Sequence, residues 1–526
     1  MTPVCLLLVA LAAQQAVGPP YDVLIAGGTV VDGTGGPGYV ADVAVRGDRI
    51  VGVSRTPLDP ASARRVIDAR GRVVAPGFID LHAHLEPLLS LPGAESAVRQ
   101  GVTTALGGPD GGGPWPMGRY LDSAAAGGVG INVAFLVGHN TIRRSVMGMA
   151  DRAPTPGELD RMRQMVTRAM GEGAWGLSTG LLYLPGAYAS TDEVVVLAQA
   201  AADSGGIYTS HLRAEGLGLL EGVAEALEIG RRARIPVILT HHKVIGKAMW
   251  GASLRTLAMV DSARAAGTDV MLDQYPYTAT YTGIGVLVPA WAMAGGDSAF
   301  RRRLAAPALR DSIVRGIVFN INNDRGGGDL RRVQLARVTW DTTLEGRTLA
   351  DWAQRRGLAP TPENGAQLVL EAERHGGASA IYHVLDDGDV ERIMRHPQTM
   401  IASDGRLARL GEGHPHPRWY GTFPRVLAVY VRERKVLTLE QAIHKMTGMP
   451  AARLGLRDRG GVAAGNYADL VVFDPATVRD RATFESPHQY PAGIDYVLVN
   501  GVPAVDGGRY VNARPGRVLR RGRGPR

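Results

Sequence analysis

VVAPGFIDLHAHLE, running from Val73 to Glu86, is an apolar β run that breaks at Pro76-Gly77, resumes, and ends in Asp80, His82 and His84. Side chains alternate faces along a strand, so His82 and His84 leave the strand end on one side and can grip a single metal ion. Two neutral imidazoles on a fixed backbone suit Zn2+ or another borderline divalent cation. An HxH pair alone is common by chance, and the bland alternative is a pair of core or surface histidines. The company it keeps decides.

Three more segments have the same form. IYTSHLRAEG places His211 after an apolar run, PVILTHHKVIGK places His241 and His242 after another, and TMIASDGRL places Asp404 after a third. Between them, short apolar runs alternate with helical stretches such as ELDRMRQMVTRAMGEG and LLEGVAEALEIGRRA, where apolar residues recur at spacings of three and four. Strand and helix in alternation over this length predict a (β/α)8 barrel, whose C-terminal mouth collects ligands carried on strand ends. At His241-His242 adjacent residues face opposite ways. Counting from Val237 and Leu239 favours His241 as the ligand and His242 as packing or support.

Outside the barrel the texture changes. From Tyr21 to about residue 75, and again from about 460 to 512, short β runs (YDVLIAGG, VADVAVRG; ADLVVFDP, IDYVLVNG) are separated by Gly, Asp and Pro. The two ends are therefore expected to build one small β-sandwich domain around a barrel at 76–459. A stretch from about Trp291 to Gln334 loses the strand-helix rhythm and reads as an insertion.

The chain has 526 residues, 45% hydrophobic and 21% charged, with 69 Gly and 32 Pro, which suits a loop-rich enzyme with a sizeable core and excludes a disordered or fibrous protein. At roughly 150 residues per domain it would hold three to four units, fewer if one is a large barrel. The formal charge of +8 is concentrated in residues 513–526, which carry six Arg and no acid. These residues read as a basic, flexible tail, not a nucleic-acid site. Lysine is confined to Lys243, Lys247, Lys435 and Lys445.

The single cysteine, Cys5, lies in VCLLLVALAA, so the body of the chain has no disulfide, all-cysteine zinc site or thiol nucleophile. That apolar run is too short to span a bilayer and reads, within residues 1–20, as a signal peptide implying export to a periplasm-like compartment, although no Lys or Arg precedes it. No other segment is long and apolar enough for a membrane span. Oligomeric state is not legible.

GFIDLHAHLE, GVTTALGG, GLSTGLLYLPG, YTSHLRAEG, THHKVIGK, DQYPYTA, SDG and HPRWYGTFPRVL, in this order, resemble the D-aminoacylase (N-acyl-D-amino-acid deacylase) branch of the amidohydrolase superfamily, from about Tyr21 to Asn512. GFIDxHxH marks only the superfamily, whereas GLSTGLxYxPG and HPRxYGTFPRVL are specific to the branch. The resemblance implies a metal-bearing barrel with a β-sandwich and hydrolysis of the amide of an N-acyl-D-amino acid, a small-molecule substrate. It makes His82, His84, His211 and His241 ligands for one or two divalent ions, zinc first. It makes Asp404 both ligand and general base.

One departure stands out. Where relatives commonly carry a metal-binding Cys in GNCG, this chain has GPDG, which puts Asp110 in that place. A carboxylate can hold one cation or bridge two, so Asp110 is expected to substitute for the cysteine, against the alternative of a turn Asp before Gly111. No Lys lies between His84 and His211, which disfavours relatives that bridge two metals through a carboxylated lysine.

A bound divalent ion lowers the pKa of a water from about 15.7 towards about 7, and Asp404 beside it would pass that proton to the leaving amine. Tyr183 resembles a family tyrosine directed at the scissile carbonyl. Arg418, Lys243 and Tyr275 resemble the clamp for the substrate's carboxylate. Glu86 is expected to support or flank the site, and His383, His414 and His416 have no assigned role beyond such support. The runner-up activity is a metallo-dipeptidase or other small-amide hydrolase. From a different class comes a catalytically silent binding barrel, to which the complete ligand set is opposed.

Overall fold

A computed structural model describes residues 19–522. The leader read at 1–20 falls, up to residue 18, outside the described residues. Eight strands form the barrel: β1 (Phe78–Asp80), β2 (Val102–Gly107), β3 (Asn132–Phe135, continued by Val137–Gly138), β4 (Gly176–Gly180), β5 (Ile207–His211), β6 (Val237–Leu239), β7 (Val270–Gln274) and β8 (Thr399–Ile401). Successive strands pair in parallel. The ring closes just past β8 and β1, where Gly405–Arg406 pairs in parallel with Ala83–His84.

Alternation along each strand sorts the barrel into two layers. Ile79, Leu106, Ala134, Leu136, Ile238 and Met400 pack together in the interior with Ala451 and Leu454 of the helix Gly448–Leu454, which plugs the bottom of the barrel. Their neighbours Phe78, Ala105, Val133, Leu177, Val237, Leu239 and Ile401 pack outward against helices such as Pro156–Glu172 and Leu219–Ala233. The helix Pro156–Glu172 carries the signal that starts it, the Thr155/Glu158 capping box with Pro156 in the first turn.

The two ends of the chain meet in one hydrogen-bonded array of nine strands. The seam is Val73–Pro76, antiparallel to Leu470–Phe473, so residues some 400 positions apart in sequence are neighbours. Alternation again divides the work. Val74, Leu470, Val472 and Leu498 face the core of the small domain. Val73, Ala75, Val471, Phe473 and Val497 face the barrel's outer core.

Two expectations are corrected. The insertion is larger than 291–334. It leaves the barrel after β7 and returns before β8, and it has its own antiparallel sheet of Thr280–Gly283, Ser379–Tyr382 and Val333–Arg337. Its separate core includes Ile313, Ile317, Leu330, Trp352 and Tyr382. The rhythm is lost because its strands pair antiparallel across about a hundred residues. The tail, for its described part, is docked and not flexible. Val133 N donates to Arg517 O and Leu519 N donates to Val133 O, so residues 517–519 pair with the free edge of β3. The arginines are held as well: Arg517 pairs with Asp48, Arg520 with Asp122, and Arg521 lies over the Trp175 ring. Among the described residues no helix is long and apolar enough to cross a membrane.

Candidate metal centre

At the C-terminal mouth of the barrel, Asp110 stands in the middle of four imidazoles. Its Oδ1 is 3.4 Å from His82 Nε2, 3.4 Å from His241 Nε2 and 3.7 Å from His211 Nδ1, and its Oδ2 is 3.5 Å from His84 Nε2. Asp404 Oδ1 is 3.2 Å from His84 Nε2 and 3.6 Å from His82 Nε2. The donors fall into two overlapping groups, His82/His84/Asp110/Asp404 and Asp110/His211/His241, that share the Asp110 carboxylate. This is the layout of a site for one cation, or for two bridged by a carboxylate.

The residues fit such an ion by their lack of other partners. Both ring nitrogens of His82 and of His211, His241 Nε2 and Asp110 Oδ1 are buried with no hydrogen-bond partner. Unpaired buried polar atoms cost on the order of 1–3 kcal/mol each. Four imidazoles and two carboxylates are a donor set for a borderline divalent ion.

The backbone is bent to aim them. Asp110, His241 and Asp404 have φ values of 55°, 37° and 46°, a left-handed conformation that costs a non-glycine residue energy and is found where geometry serves function. At His241 this bend corrects the sequence argument. Val237 and Leu239 pack outward and Ile238 inward, so a straight strand would have sent His242, not His241, into the barrel. The turn at His241 reverses the alternation, with its N–H donating to Asp273 Oδ1 at 2.6 Å. His242 points the other way, to Thr256 Oγ1 of the outer helix Ser253–Ala265 at 2.9 Å, and burial lowers its pKa to about 3.

Around this ring lie the groups that hold it. Glu86 Oε1 is 3.1 Å from His84 Nδ1. Glu215, which sequence reasoning did not single out, is fully buried and touches four groups: His211 Nε2 at 3.5 Å, His241 Nδ1 at 3.3 Å, Lys243, and Arg325 Nη2 at 3.7 Å. Its signal was an acid four residues after His211 in HLRAE. Arg325 comes from the insertion and had no signal. Burial raises the Glu215 carboxyl, but His211, Lys243 and His241 outweigh this and keep it well below the usual range.

Arg418 Nη1 is 3.0 Å from Asp404 Oδ2. Burial pushes Asp404 up, and Arg418 with the histidines overrides that, holding the carboxyl below its ordinary value. The Arg418 guanidinium lies 4.7 Å and Lys243 Nζ 5.8 Å from the Tyr275 ring centre, and all three line the cavity of about 930 Å³ above the ring of candidate donors. Tyr275 Oη is buried without a partner. Tyr183 packs against His211 with the rings tilted at 49° and their centres 4.5 Å apart, and its hydroxyl accepts from Thr282 Oγ1 at 3.2 Å. Burial, then Asp110, raises its pKa, so it is a neutral donor. Asn140 fixes its loop by donating to Gly180 O and Tyr183 O. His416 Nδ1 accepts from Arg418 N at 3.0 Å, while His383 and His414 contact Gln334 away from the ring.

The amidohydrolase family model matches residues 65–505. The chain is 39% identical to N-acyl-D-glutamate deacylase and 38% identical to D-aminoacylase, both of Alcaligenes xylosoxydans xylosoxydans. These matches cover 95% and 97% of this chain and 96% and 99% of theirs.

The chain belongs to the amidohydrolase family.

Among solved amidohydrolases, the N-acyl-D-glutamate deacylase of Bordetella bronchiseptica, in complex with zinc and a phosphonate mimic of the reaction's tetrahedral intermediate, superposes with a TM-score of 0.80 at 36% identity. The match covers 95% of this chain and 99% of that one.

Proposed function

We propose that this chain hydrolyses the amide of N-acyl-D-amino acids, releasing a carboxylate and a free D-amino acid. The observation that carries the reading is the set of buried, unpartnered donors around Asp110, directly beneath a cavity that also presents Arg418, Tyr275 and Lys243. The similarity to two deacylases of N-acyl-D-amino acids along nearly the whole chain supports the substrate class and its D configuration.

His82, His84, Asp110, His211, His241 and Asp404 would hold the metal. A divalent ion such as zinc supplies, when bound, Lewis acidity for the scissile carbonyl and the attacking water. Arg418 keeps Asp404 ionised at neutral pH, so its carboxylate can take the water's proton and hand it to the leaving amine. Because the Tyr183 oxygen accepts from Thr282, its own O–H is free to donate to the oxyanion that develops on the carbonyl. Arg418 and Tyr275 receive the substrate carboxylate, which fixes the amide at a set distance from the ring of ligands. Lys243 adds positive charge on that side and steadies His241 both directly, donating to His241 O at 2.8 Å with its Nζ 2.6 Å from His241 Nδ1, and through Glu215.

The test pairs metal content by plasma mass spectrometry with ninhydrin detection of amine released from N-acetyl-D- and N-acetyl-L-amino acids, with and without chelator. Stoichiometric zinc and chelator-sensitive cleavage of D substrates alone is the expected result. Metal without cleavage of any acyl amino acid would overturn the substrate reading and favour a D-peptide or other small amide.

A further inference from the structure

A second cavity of about 650 Å³ lies across the loop that follows β2, and nothing in the mechanism uses it. Its walls include Leu89, Pro114, Trp115, Tyr120 and Phe135, with Glu86, Arg119, Ser123 and Thr141 as its polar members. Tyr120 and Phe135 pack edge to face at 5.1 Å, which gives it a firm aromatic floor. It shares Glu86, Gly112 and Thr141 with the cavity over the metal ligands, so the two spaces adjoin.

What separates them is Gly111-Gly112-Gly113, a stretch of backbone with no side chains. A side chain cannot be added at Gly111, where φ is 73° and a Cβ would lie 2.2 Å from Asn140 Oδ1. At Gly112 a Cβ would meet only Pro109 O at 3.4 Å, so the space beyond it is open.

Direction settles what would enter. In an N-acyl amino acid the carboxylate and the acyl chain leave the amide at opposite ends. The clamp residues follow β6 (Lys243), β7 (Tyr275) and β8 (Arg418), whereas the apolar cavity is built after β1, β2 and β3, on the side of the mouth where His82, His84 and Asp110 follow β1 and β2. A substrate with its carboxylate on Arg418 and its carbonyl at the ligand ring therefore points its acyl chain towards this cavity.

We propose that the apolar cavity is a subsite for the hydrocarbon of the acyl group, and that the preferred substrates are N-acyl-D-amino acids with acyl chains of medium length, on the order of eight carbons. This rests on the proposed function. Each methylene taken from water into an apolar site is worth up to about fourfold in affinity. An open cavity realises part of that, so extending acetyl to octanoyl is expected to raise kcat/KM by at least tenfold, chiefly through KM.

The experiment compares the zinc-loaded enzyme on N-acetyl-, N-butanoyl- and N-octanoyl forms of one D-amino acid, for the wild type and for Gly112→Leu, which fills the passage, and Leu89→Ser. Leu89 is half exposed, so that variant keeps the fold, checked by circular dichroism and thermal melting. The expected result is a rise with chain length in the wild type that shrinks to under threefold in both variants. A flat or falling profile in a wild type that cleaves the acetyl substrate would overturn this inference alone, as would variants that keep the full rise. If no chain length were cleaved, the proposed function would fall, and this inference with it.

Discussion

Arg418 Nη1 sits 3.0 Å from Asp404 Oδ2, and both side chains are buried. The cation proposed to receive the substrate's carboxylate is thus the one that keeps the proposed base ionised. Binding and proton transfer share one guanidinium.

That sharing separates two variants. Arg418→Lys keeps the charge but loses the planar fork, so it should raise KM for N-acyl-D-amino acids at least tenfold and lower kcat as well, because Asp404 loses its partner. Tyr275→Phe removes a hydroxyl that makes no hydrogen bond to the protein, and should raise KM with little change in kcat. Steady-state kinetics on both variants checks this. An Arg418→Lys variant with kcat intact would break the link between clamp and base.

Asp110 is the one carboxylate common to both donor groups. Asp110→Ala should cut bound zinc to half or less and activity by at least a hundredfold, since four imidazoles lose the anion that gathers them. Asp110→Cys, restoring a thiolate at this place, should recover much of the metal content. Zinc content by mass spectrometry after dialysis against dilute chelator reads both. Full metal content in the alanine variant would reduce Asp110 to a turn residue.

Much of this site was legible because a parallel barrel puts strand ends on one face, so His82, His84, His211 and Asp404 could be recognised from the runs that precede them. His241 was reached by counting along a straight strand, and the backbone turn at φ 37° is what actually delivers it. Glu215 and Arg325 were missed since each acts through contacts between distant segments, Glu215 with Lys243 and Arg325 with Glu215. The insertion's true extent was hidden for the same reason: Thr280 pairs with Tyr382 across the whole of it.

The tail's charge suggested a solvated end, and its backbone says otherwise. Residues 517–519 complete the open edge of β3, Trp175 Nε1 donates to Leu519 O, and three arginines are engaged. Deleting residues 513–526 should therefore expose an unpaired strand edge and lower Tm by several degrees, at about 2–4 °C per kcal/mol for a chain of a few hundred residues. Differential scanning calorimetry of the truncated enzyme reads this directly. An unchanged Tm would show the edge contacts to be without net worth.

Lys445 offers a test by pH. Its ammonium is buried beside the strand that closes the barrel and donates to His396 O and Thr399 O, with no carboxylate among its partners. Burial lowers its pKa to about 8, whereas in the unfolded chain it returns to about 10.4. Between those values the unfolded state binds the extra proton, so stability rises with pH across that window and is lower below pH 8, where the folded protein must bury the charge. Tyrosines and other groups titrate there too. The informative quantity is therefore the wild-type stability minus that of Lys445→Met, from urea unfolding at pH 7.5 and pH 10.5. That difference should move in favour of the wild type at the higher pH by up to about 3 kcal/mol. If it is the same at both pH values, the amine is solvated and carries no burial penalty.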